Sequence, residues 1–468
     1  MNLSIRILAA TKLMLLISLS GLAQINYQKT LNGALEKAAT SNKPVFVHIG
    51  LPKMMMGMPV KSLSDRPEIA DFYNEHFVNY LMPADSPEFG DYRERYQLNS
   101  FPALFFLNTD GNLIYKSPKP AGSAKEYIAY GQETLDRIKS GKSLFAYEQK
   151  YKDGALNKEQ LKEYIQLRTQ SGLFDNSELA ERYVEFLTIA QLNDYQDVLF
   201  ILKAGPLAFG KAYRMAFTNT KITDSIYRYE PADERIAMNN RIISNTFNTA
   251  VAKKDYSMLN NVVTFIRNTH GKNYSEANNQ ATLKSLAFYK AVKDTINFYS
   301  TASYYYDRHY MRQNVDSLRK LALKNQQARD EFKASMEKSQ ALAKKRPDPP
   351  AQPNSNIVRV VTRRVIVPGT NNIVANALNS IAWDFYTMGT RNMNHLSKAL
   401  QWSMRSIEID PAPAHYDTLA HIFYRMGLFD EALLNQNKAI ALLMKIPDQK
   451  KQLANAQAEA AKMQERTL

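Results

Sequence analysis

The chain has 468 residues, a net charge of +15 and no cysteine. Because it lacks cysteine, it can form no disulfide and has no thiol nucleophile, zinc–cysteine site or dithiol redox centre. Its hydrophobic content of 45% and charged content of 22% are ordinary for globular proteins and exclude wholesale disorder. At roughly 150 residues per domain, the length predicts about three domains.

The N-terminal segment 1–23 has the layout of a cleavable secretory signal. Arg6 and Lys12 form a basic region, the apolar stretch Leu13–Leu19 follows, and small residues lead to Ala23. The apolar stretch is shorter than the roughly 20 residues that a membrane-spanning helix needs. We therefore expect cleavage near Ala23, a periplasmic or secreted chain, and no direct membrane span. A buried N-terminal helix is the alternative.

The positive charge predicts a solvated or partner-facing basic surface. No nucleic-acid-binding motif accompanies this charge in the sequence, and exported proteins rarely meet nucleic acid. We therefore expect no nucleic-acid partner.

Residues 24–140 alternate between helix and strand patterns, which predicts an α/β domain. The predicted helices are Leu31–Ser41, Pro67–Glu75 and Tyr92–Gln97. The predicted strands are Pro44–Gly50, Phe77–Met82, Phe101–Leu107 and Leu113–Tyr115. Asp110-Gly111 predicts the turn of the last hairpin.

Residues 141–345 have a helical period and almost no strand signal, which predicts a helical, repeat-like domain. The predicted helices are Asn157–Thr169, Ser177–Ile189, Asp233–Lys253, Tyr256–Asn268, Glu276–Val292, Ile296–His309 and Val315–Arg346. Asp255 and Asp294 begin similar helices 39 residues apart, a spacing typical of stacked helical hairpins.

Residues 346–374 are predicted to form a Pro-rich linker followed by a strand. The run Arg346–Pro353 contains four prolines and cannot continue a helix. The segment Ile357–Val367 has the composition of a strand and carries Arg359, Arg363 and Arg364. Docking on its own protein is the favoured interpretation, and pairing with a partner strand is the alternative.

Residues 375–468 contain two similar helical hairpins and a final helix. Ala382–Gly389 aligns with Ala420–Gly427, and Lys398–Leu400 aligns with Glu431–Leu433. Small residues where helices touch, and Tyr-x-x-Gly before each turn, resemble tetratricopeptide repeats. This resemblance implies a tetratricopeptide-like helical module that residues 448–468 cap.

The stretch 44–107 resembles the thioredoxin-like family of bacterial envelope proteins. The matching residues are Phe46-Val47, Asp71–Asn74, Phe77–Asn79, Ser100–Pro102 and Asp110-Gly111. The family's layout is a strand, an active-site loop, a helix, a strand, and then a cis-proline before the next strand. With its Asn-, Lys- and Tyr-rich composition, the chain is also similar to envelope proteins of the Bacteroidetes type.

The sequence departs from this family at the residues that perform its redox chemistry. The family's Cys-x-x-Cys motif falls on Met54, Met55, Met56 and Gly57, and its buried acid falls on His48. A thioether forms no thiolate, so it can neither attack a disulfide nor leave from one. We therefore expect a protein that is not an enzyme and needs no cofactor.

What this resemblance leaves is a groove that binds an extended peptide. The candidate groove residues are Met54, Met55, Met56, Gly57, Met58, Phe101 and Pro102. A cis-Pro102 would leave a backbone edge beside the methionine loop for pairing with a peptide, and a trans-Pro102 is the alternative. Flexible methionine side chains suit promiscuous contacts with a peptide, and plain packing of these residues is the competing interpretation.

Two other functions remain open at this point. Thioethers suit Cu(I), so Met54, Met56 and Met58, with His48 or His76 as a nitrogen ligand, form a copper-handling alternative. An enzyme with non-thiol chemistry in the helical region is the other alternative, and it predicts a polar pocket with perturbed pKa values. The remaining histidines show no ligand spacing in the sequence and are interpreted as surface or packing residues.

The sequence therefore predicts an α+β multidomain protein, with a thioredoxin-like α/β domain followed by a mostly α-helical repeat region. Its predicted function is non-catalytic binding of a protein or peptide partner in the cell envelope, as a scaffold or chaperone-like factor. Concave faces of helical repeats commonly bind peptides and would supply a second contact surface.

Overall fold

The structure is a computed structural model that describes residues 24–50, 66–84, 86–96, 98, 103–344, 373–446 and 449–468. The predicted signal segment 1–23, the groove residues Met54–Met58, Phe101 and Pro102, and the predicted linker and strand up to residue 372 lie outside these residues. None of the helices in the described ranges has the length and apolar character needed to cross a membrane.

The chain divides into two compact units, with the boundary between Thr249 and Ala250. The first unit contains a small mixed sheet near the N-terminus, and the rest of the described chain is mostly helical. This combination of a small mixed sheet with many helices confirms the predicted α+β class. The predicted domain boundaries after residues 140 and 345 stay predictions.

The sheet has five strands among the described residues. They are β1 Tyr27–Gln28, β2 Val45–Ile49, β3 Val78–Met82, β4 Ala103–Leu107 and β5 Leu113–Lys116. Their order is β1-β3-β2-β4-β5. The first three strands are parallel, β4 is antiparallel to β2, and β5 is antiparallel to β4. The two-residue β1 has too few residues to show a sequence pattern and was not predicted.

The helices that follow these strands begin where local capping residues stand. The first unit contains α1 Leu31–Ser41, α2 Pro67–His76, α3 Pro87–Arg95, α4 Ala124–Ser140, α5 Leu144–Lys152, α6 Lys158–Gln170, α7 Ser177–Tyr183, α8 Ile189–Leu192, α9 Tyr195–Ala204, α10 Lys211–Ala216 and α11 Thr220–Tyr229. The Thr30 and Ser123 hydroxyls accept hydrogen bonds from first-turn amides of α1 and α4. Such caps satisfy amide groups that the helix itself leaves unpaired.

Two helix predictions in the first unit need correction. The helix predicted at Tyr92–Gln97 begins earlier, because Pro87 occupies the first position of α3, where its missing N–H costs nothing. The single helix predicted over Ser177–Ile189 is instead α7, a 3₁₀ turn and α8. Thr188 and Gln191 form a reciprocal capping box that starts a new helix there.

The first unit, which we also call the sheet unit, has an aromatic core, and its sheet is covered on both faces. Every residue of β2 and β4 is buried, as expected for central strands between two layers. Gly131 of α4 shows how closely the helical layer packs, because a Cβ atom there would lie 2.5 Å from Cε1 of Phe72. Glycine is required at this position by the close approach of α2 to α4.

A long helix, α12 Ala232–Lys253, runs across the boundary between the units. The helices after it are α13 Tyr256–Thr269, α14 Tyr274–Val292, α15 Thr295–His309, α16 Val315–Lys344, α17 Ile373–Thr387, α18 Met393–Ile409, α19 Pro413–Arg425, α20 Phe429–Leu443 and α21 Lys450–Glu465. The similarity between two helix starts 39 residues apart has a structural basis, because Asp255 caps α13 and Asp294 caps α15. Each carboxylate accepts first-turn amide hydrogen bonds, so the two aspartates mark equivalent helix starts.

The two predicted C-terminal hairpins are helix pairs that pack on each other. Helix α17 packs on α18, α19 packs on α20, and α21 packs on α20 at the end of the chain. Gly389 and Gly427, aligned in the sequence, both have φ of 81° at the turn of their hairpin. This backbone conformation favours glycine, so the alignment of the two turns is confirmed in backbone geometry.

Candidate functional site

The predicted groove segments attach to the same end of the sheet. In the register of β2 and β4, the last residue of β2, Ile49, lies opposite the first residue of β4, Ala103. Gly50, which follows Ile49, donates its amide hydrogen bond to the carbonyl of Met82 at the end of β3. The chain therefore enters the predicted methionine segment, and leaves the predicted proline segment, at adjacent points.

His48 lies at this end of the sheet, in the interior of the first unit. Its side chain is buried, and Nδ1 lies 3.2 Å from the Tyr27 hydroxyl and 3.4 Å from the Tyr127 hydroxyl. The Tyr73 hydroxyl donates to the backbone carbonyl of Tyr127, and burial raises the pKa of Tyr73 well above its ordinary value. A copper ion would have to displace both tyrosine hydroxyls to use Nδ1 as a ligand. His48 is thus part of a polar network within the core.

A cleft of about 480 Å³ opens in the first unit between the β4–β5 hairpin and the helices α5 and α6. This cleft, which we call the tyrosine cleft, was not predicted from the sequence. Its lining includes the aromatic residues Tyr96, Phe145, Tyr151 and Tyr164 and the charged residues Glu148, Lys152, Arg168, Asp175 and Glu178. Mixed aromatic and charged walls are typical of sites that bind polar organic ligands or peptides.

Arg168 organises the charged side of the tyrosine cleft. Its Nη2 donates to Asp175 Oδ1 at 2.6 Å, and its Nε donates to Asn176 Oδ1 at 2.7 Å. The guanidinium also lies 5.6 Å from the centre of the Tyr164 ring, in a cation–π contact. These contacts leave Arg168 with its charge matched inside the protein, so the cleft presents a fixed wall.

Lys116 of β5 is buried beside this cleft, and a neutral backbone carbonyl accepts its hydrogen bond. Its Nζ donates to the backbone carbonyl of Tyr96, a residue of the cleft wall, at 2.9 Å. Burial lowers the pKa of Lys116 to about 8. A Cβ atom at Gly172 would lie 3.3 Å from this Nζ, so the small residue leaves room for the amine. Lys116 thus has a lowered pKa of the kind found at catalytic lysines, but it lies on β5, outside the helical region in which the enzyme alternative places its pocket.

We expect Lys116→Met to stabilise the first unit near neutral pH. In the unfolded chain the amine keeps its ordinary pKa and stays protonated, whereas in the folded chain burial opposes that charge. The lowering of the pKa from 10.5 to about 8 corresponds to a cost of about 3 kcal/mol at pH 7. Loss of the charged amine's hydrogen bond to Tyr96 offsets about 2 kcal/mol of the benefit of removing this amine, which leaves a net gain of about 1 kcal/mol. Hydrogen–deuterium exchange of the β4 and β5 amides measures this difference.

The pH dependence gives this prediction its sign. Between about pH 8 and pH 10.5 the unfolded chain binds one more proton than the folded chain, so wild-type stability rises with pH. The advantage of Lys116→Met should therefore shrink as the pH rises through this window. Lys125→Met, at an exposed position on α4, is the charge-matched control. An advantage that stays constant with pH, or that the control shares, would contradict the assignment.

The histidines of the C-terminal helices fall into two groups. His415 is buried, with Nδ1 2.7 Å from the Asp410 carbonyl and Nε2 3.1 Å from Asn376 Oδ1, in agreement with its predicted packing role. His421 is also buried, but it lies beside the carboxylates of Asp417 and Glu459. The sequence missed this second arrangement, because Glu459 is on a different helix.

Comparisons of the chain with family models, curated proteins and solved structures find no match. Function therefore has to be inferred from the chain's own residues and geometry. The described part of the chain offers the sheet end with Ile49 and Ala103, the tyrosine cleft, and the C-terminal helical hairpins.

Proposed function

We propose that the protein is an exported, non-catalytic thioredoxin-like protein that binds extended polypeptide partners in the cell envelope. The observation that carries this proposal is the pairing of Ile49 with Ala103. Ile49 and Ala103 are the described strand residues nearest to the two sequence segments that resemble the groove of the thioredoxin-like family. A groove at this end of the sheet can pair with the backbone of an extended chain.

The order of elements around the sheet supports a thioredoxin-like arrangement. The chain passes from β2 through residues 51–65 to α2 and β3, and Pro102 stands directly before β4. This is the layout that the resemblance implies. The parallel pairing of β2 with β3 and the antiparallel pairing of β2 with β4 place β2 at the centre of the sheet.

Two features support binding without thiol chemistry. The whole sequence contains no cysteine, so thiol–disulfide exchange has no nucleophile. At the position of the family's buried acid, His48 contacts Tyr27 and Tyr127, which differs from a carboxylate that relays protons to a thiol. The site thus retains a scaffold for peptide contacts and lacks the reacting groups.

The C-terminal helix pairs support a second contact surface. Consecutive hairpins with equivalent turns at Gly389 and Gly427 resemble tetratricopeptide repeats, which commonly present a concave surface to peptides. We propose that this surface and the groove act on the same class of partner.

The proposal predicts that removal of the methionine side chains weakens polypeptide binding. We expect the variant with Met54, Met55, Met56 and Met58 changed to Ser to bind a fluorescently labelled, permanently unfolded polypeptide at least tenfold more weakly than wild type. The physical reason is the loss of flexible apolar contacts. Fluorescence anisotropy of the labelled polypeptide measures the dissociation constant.

A matched control is available elsewhere in the chain. Ile189 and Tyr229 are each more than two-thirds exposed, and their joint replacement by Ser removes apolar surface that lies outside both the methionine segment and the C-terminal helical hairpins. This control should leave the dissociation constant unchanged. Equal binding by all three proteins would place the contact surface on the helical hairpins, and no binding by wild type would overturn the proposal.

Lys116, which bonds to Tyr96 of the tyrosine cleft wall, favours one second candidate, an enzyme with non-thiol chemistry. A lysine with a pKa near 8 is a better nucleophile towards a carbonyl group than an ordinary lysine. Covalent trapping of a small aldehyde by borohydride, followed by peptide mapping, tests this candidate. Modification confined to Lys116 would favour it over binding alone.

A further inference from the structure

A cluster of three ionisable side chains links helices α19 and α21 in the second unit. Asp417 and His421 are four residues apart on α19, so they lie on one face of that helix. Glu459 comes from α21, and one ligand-type atom from each of the three residues lies within 4.8 Å of the others. His421 Nδ1 is 3.7 Å from Asp417 Oδ2, and His421 Nε2 is 3.9 Å from Glu459 Oε2.

The ring of His421 is held in one orientation. Its Nδ1 lies 2.8 Å from the backbone carbonyl of Asp417, so Nδ1 carries the proton and donates it to that oxygen. The rings of Trp383 and Tyr386 each contact the imidazole edge-on, with ring centres 5.2 Å apart. The lone pair of Nε2 is thereby left on the side of Glu459. An N–H bonded to a carbonyl, with the other nitrogen presented outward, is the arrangement of metal-binding histidines.

One oxygen of the Asp417 carboxylate and one oxygen of the Glu459 carboxylate lie within 4.8 Å of each other and of the His421 ring. Both oxygens and the Nε2 lone pair are acceptors, so each repels the others in the absence of a proton or cation. A positive ion placed among them would satisfy all three.

Gln436 of α20 packs against this cluster and carries a buried acceptor without a hydrogen bond. Its side chain is completely buried, and Nε2 donates to Asp417 Oδ1 at 2.9 Å and to the Ala456 carbonyl at 3.3 Å. These two bonds fix the amide orientation. The amide oxygen Oε1, next to that nitrogen, has no hydrogen-bond partner among the described residues. A buried acceptor without a hydrogen bond destabilises the folded protein unless it meets a donor or a cation.

We propose that Asp417, His421 and Glu459 bind a divalent transition-metal ion of the zinc class. One imidazole nitrogen and two carboxylate oxygens suit zinc, whereas calcium and magnesium take oxygen ligands only. Ligand atoms around tetrahedral zinc lie roughly 3.3 Å apart, given bonds of about 2.0 Å. The separation of 3.9 Å between His421 Nε2 and Glu459 Oε2 exceeds this by about half an ångström, which rotation of the partly exposed Glu459 carboxylate can supply. The Asp417 carboxylate lies nearer to Nδ1, at 3.7 Å, so it has to rotate towards the Nε2 side to complete the site. The ion would join α21 to α19 and leave a fourth position for water.

Zinc binding by the untagged, full-length mature chain tests this proposal. We expect isothermal titration with Zn²⁺ to show one site, and Asp417→Asn/Glu459→Gln to weaken it at least a hundredfold. Glu465→Gln, an exposed position on the same helix α21, removes a similar charge and should leave the affinity unchanged. Mg²⁺ and Ca²⁺ in large excess should not displace the zinc.

Thermal unfolding followed by tryptophan fluorescence gives a second readout. Trp383 contacts His421, and a ligand that binds only the folded state raises the unfolding midpoint. Zn²⁺ should raise the midpoint for wild type and Glu465→Gln but not for the double variant. Equal effects in all three proteins would show an adventitious surface ion only and would overturn the site.

Cobalt spectroscopy keeps the test independent of how well the variants fold. Co²⁺ bound to wild type in a tetrahedral nitrogen–oxygen site gives visible d–d absorption that Zn²⁺ abolishes by competition. Absence of this absorption, together with absence of zinc binding, would overturn the proposal. The site does not depend on the polypeptide groove, so failure of either proposal leaves the other to be judged on its own test.

Discussion

Replacement of Trp402 by alanine is expected to lower the free energy of unfolding of the second unit by about 3–5 kcal/mol. The side chain is completely buried and packs edge-on against Phe385, with ring centres 4.9 Å apart. Its indole Nε1 donates to Asp307 Oδ1 at 2.9 Å. The substitution therefore opens a large cavity and also removes one of the partners of Asp307.

The chain is well suited to this measurement. It contains two tryptophans, Trp383 and Trp402, so the variant retains Trp383 as a fluorescent reporter in the second unit. Urea denaturation followed at Trp383 emission measures the loss. Trp402→Phe is the matched control, because it keeps most of the ring volume and loses only the indole donor, at a cost of about 1–2 kcal/mol. Equal losses for the two variants would show that the hydrogen bond outweighs packing here.

Replacement of Phe46 by alanine is expected to destabilise the sheet unit by about 3–5 kcal/mol. Phe46 is completely buried on β2, with ring centres 4.3 Å from Tyr73 and 5.3 Å from Phe106. It therefore joins the central strand to α2 and to the neighbouring strand. Because β2 leads directly into the predicted methionine segment, the same substitution should also weaken polypeptide binding.

Both tryptophans lie outside the sheet unit, so a different readout is needed for Phe46→Ala. Hydrogen–deuterium exchange of the β2 and β4 amides reports opening of the sheet directly. Leu81→Ala on β3 is the control, because that side chain is 42% exposed and its loss should cost less than about 1 kcal/mol. Unchanged protection of β2 in Phe46→Ala would show that the aromatic cluster does not hold the sheet together.

Local sequence patterns were sufficient for most helices and strands. The helix predicted at Leu31–Ser41 is observed with the same bounds, and the four strands predicted before Lys116 are observed, apart from the residues outside the described ranges. Hydrophobic period and capping residues act over a few neighbouring positions, so they can be recognised in the sequence. The break between α7 and α8 was missed because the helical period of the sequence continues through it. The capping box at Thr188 nevertheless starts a new helix there.

The candidate sites likewise differ in how far the sequence alone could predict them. The absence of thiol chemistry follows from composition, and the adjacency of the methionine and Pro102 segments was suggested by resemblance. The structure pairs Ile49 with Ala103, the described strand residues nearest to these segments, although they are 54 positions apart in the sequence. The tyrosine cleft could not be predicted, because its walls come from segments without a shared motif.

The sequence by itself determined many of the helices, four of the five described strands, the aligned turns at Gly389 and Gly427, and the exclusion of cysteine chemistry. It did not predict the individual helices α4, α5 and α9 to α11. Only the tertiary structure decided the strand order, the burial of Lys116 and the meeting of His421 with Glu459. The hydrophobic period and the capping residues are local properties of the chain. Burial, pKa and metal-type geometry depend on which distant segments pack together, and many different packings are compatible with the same local patterns.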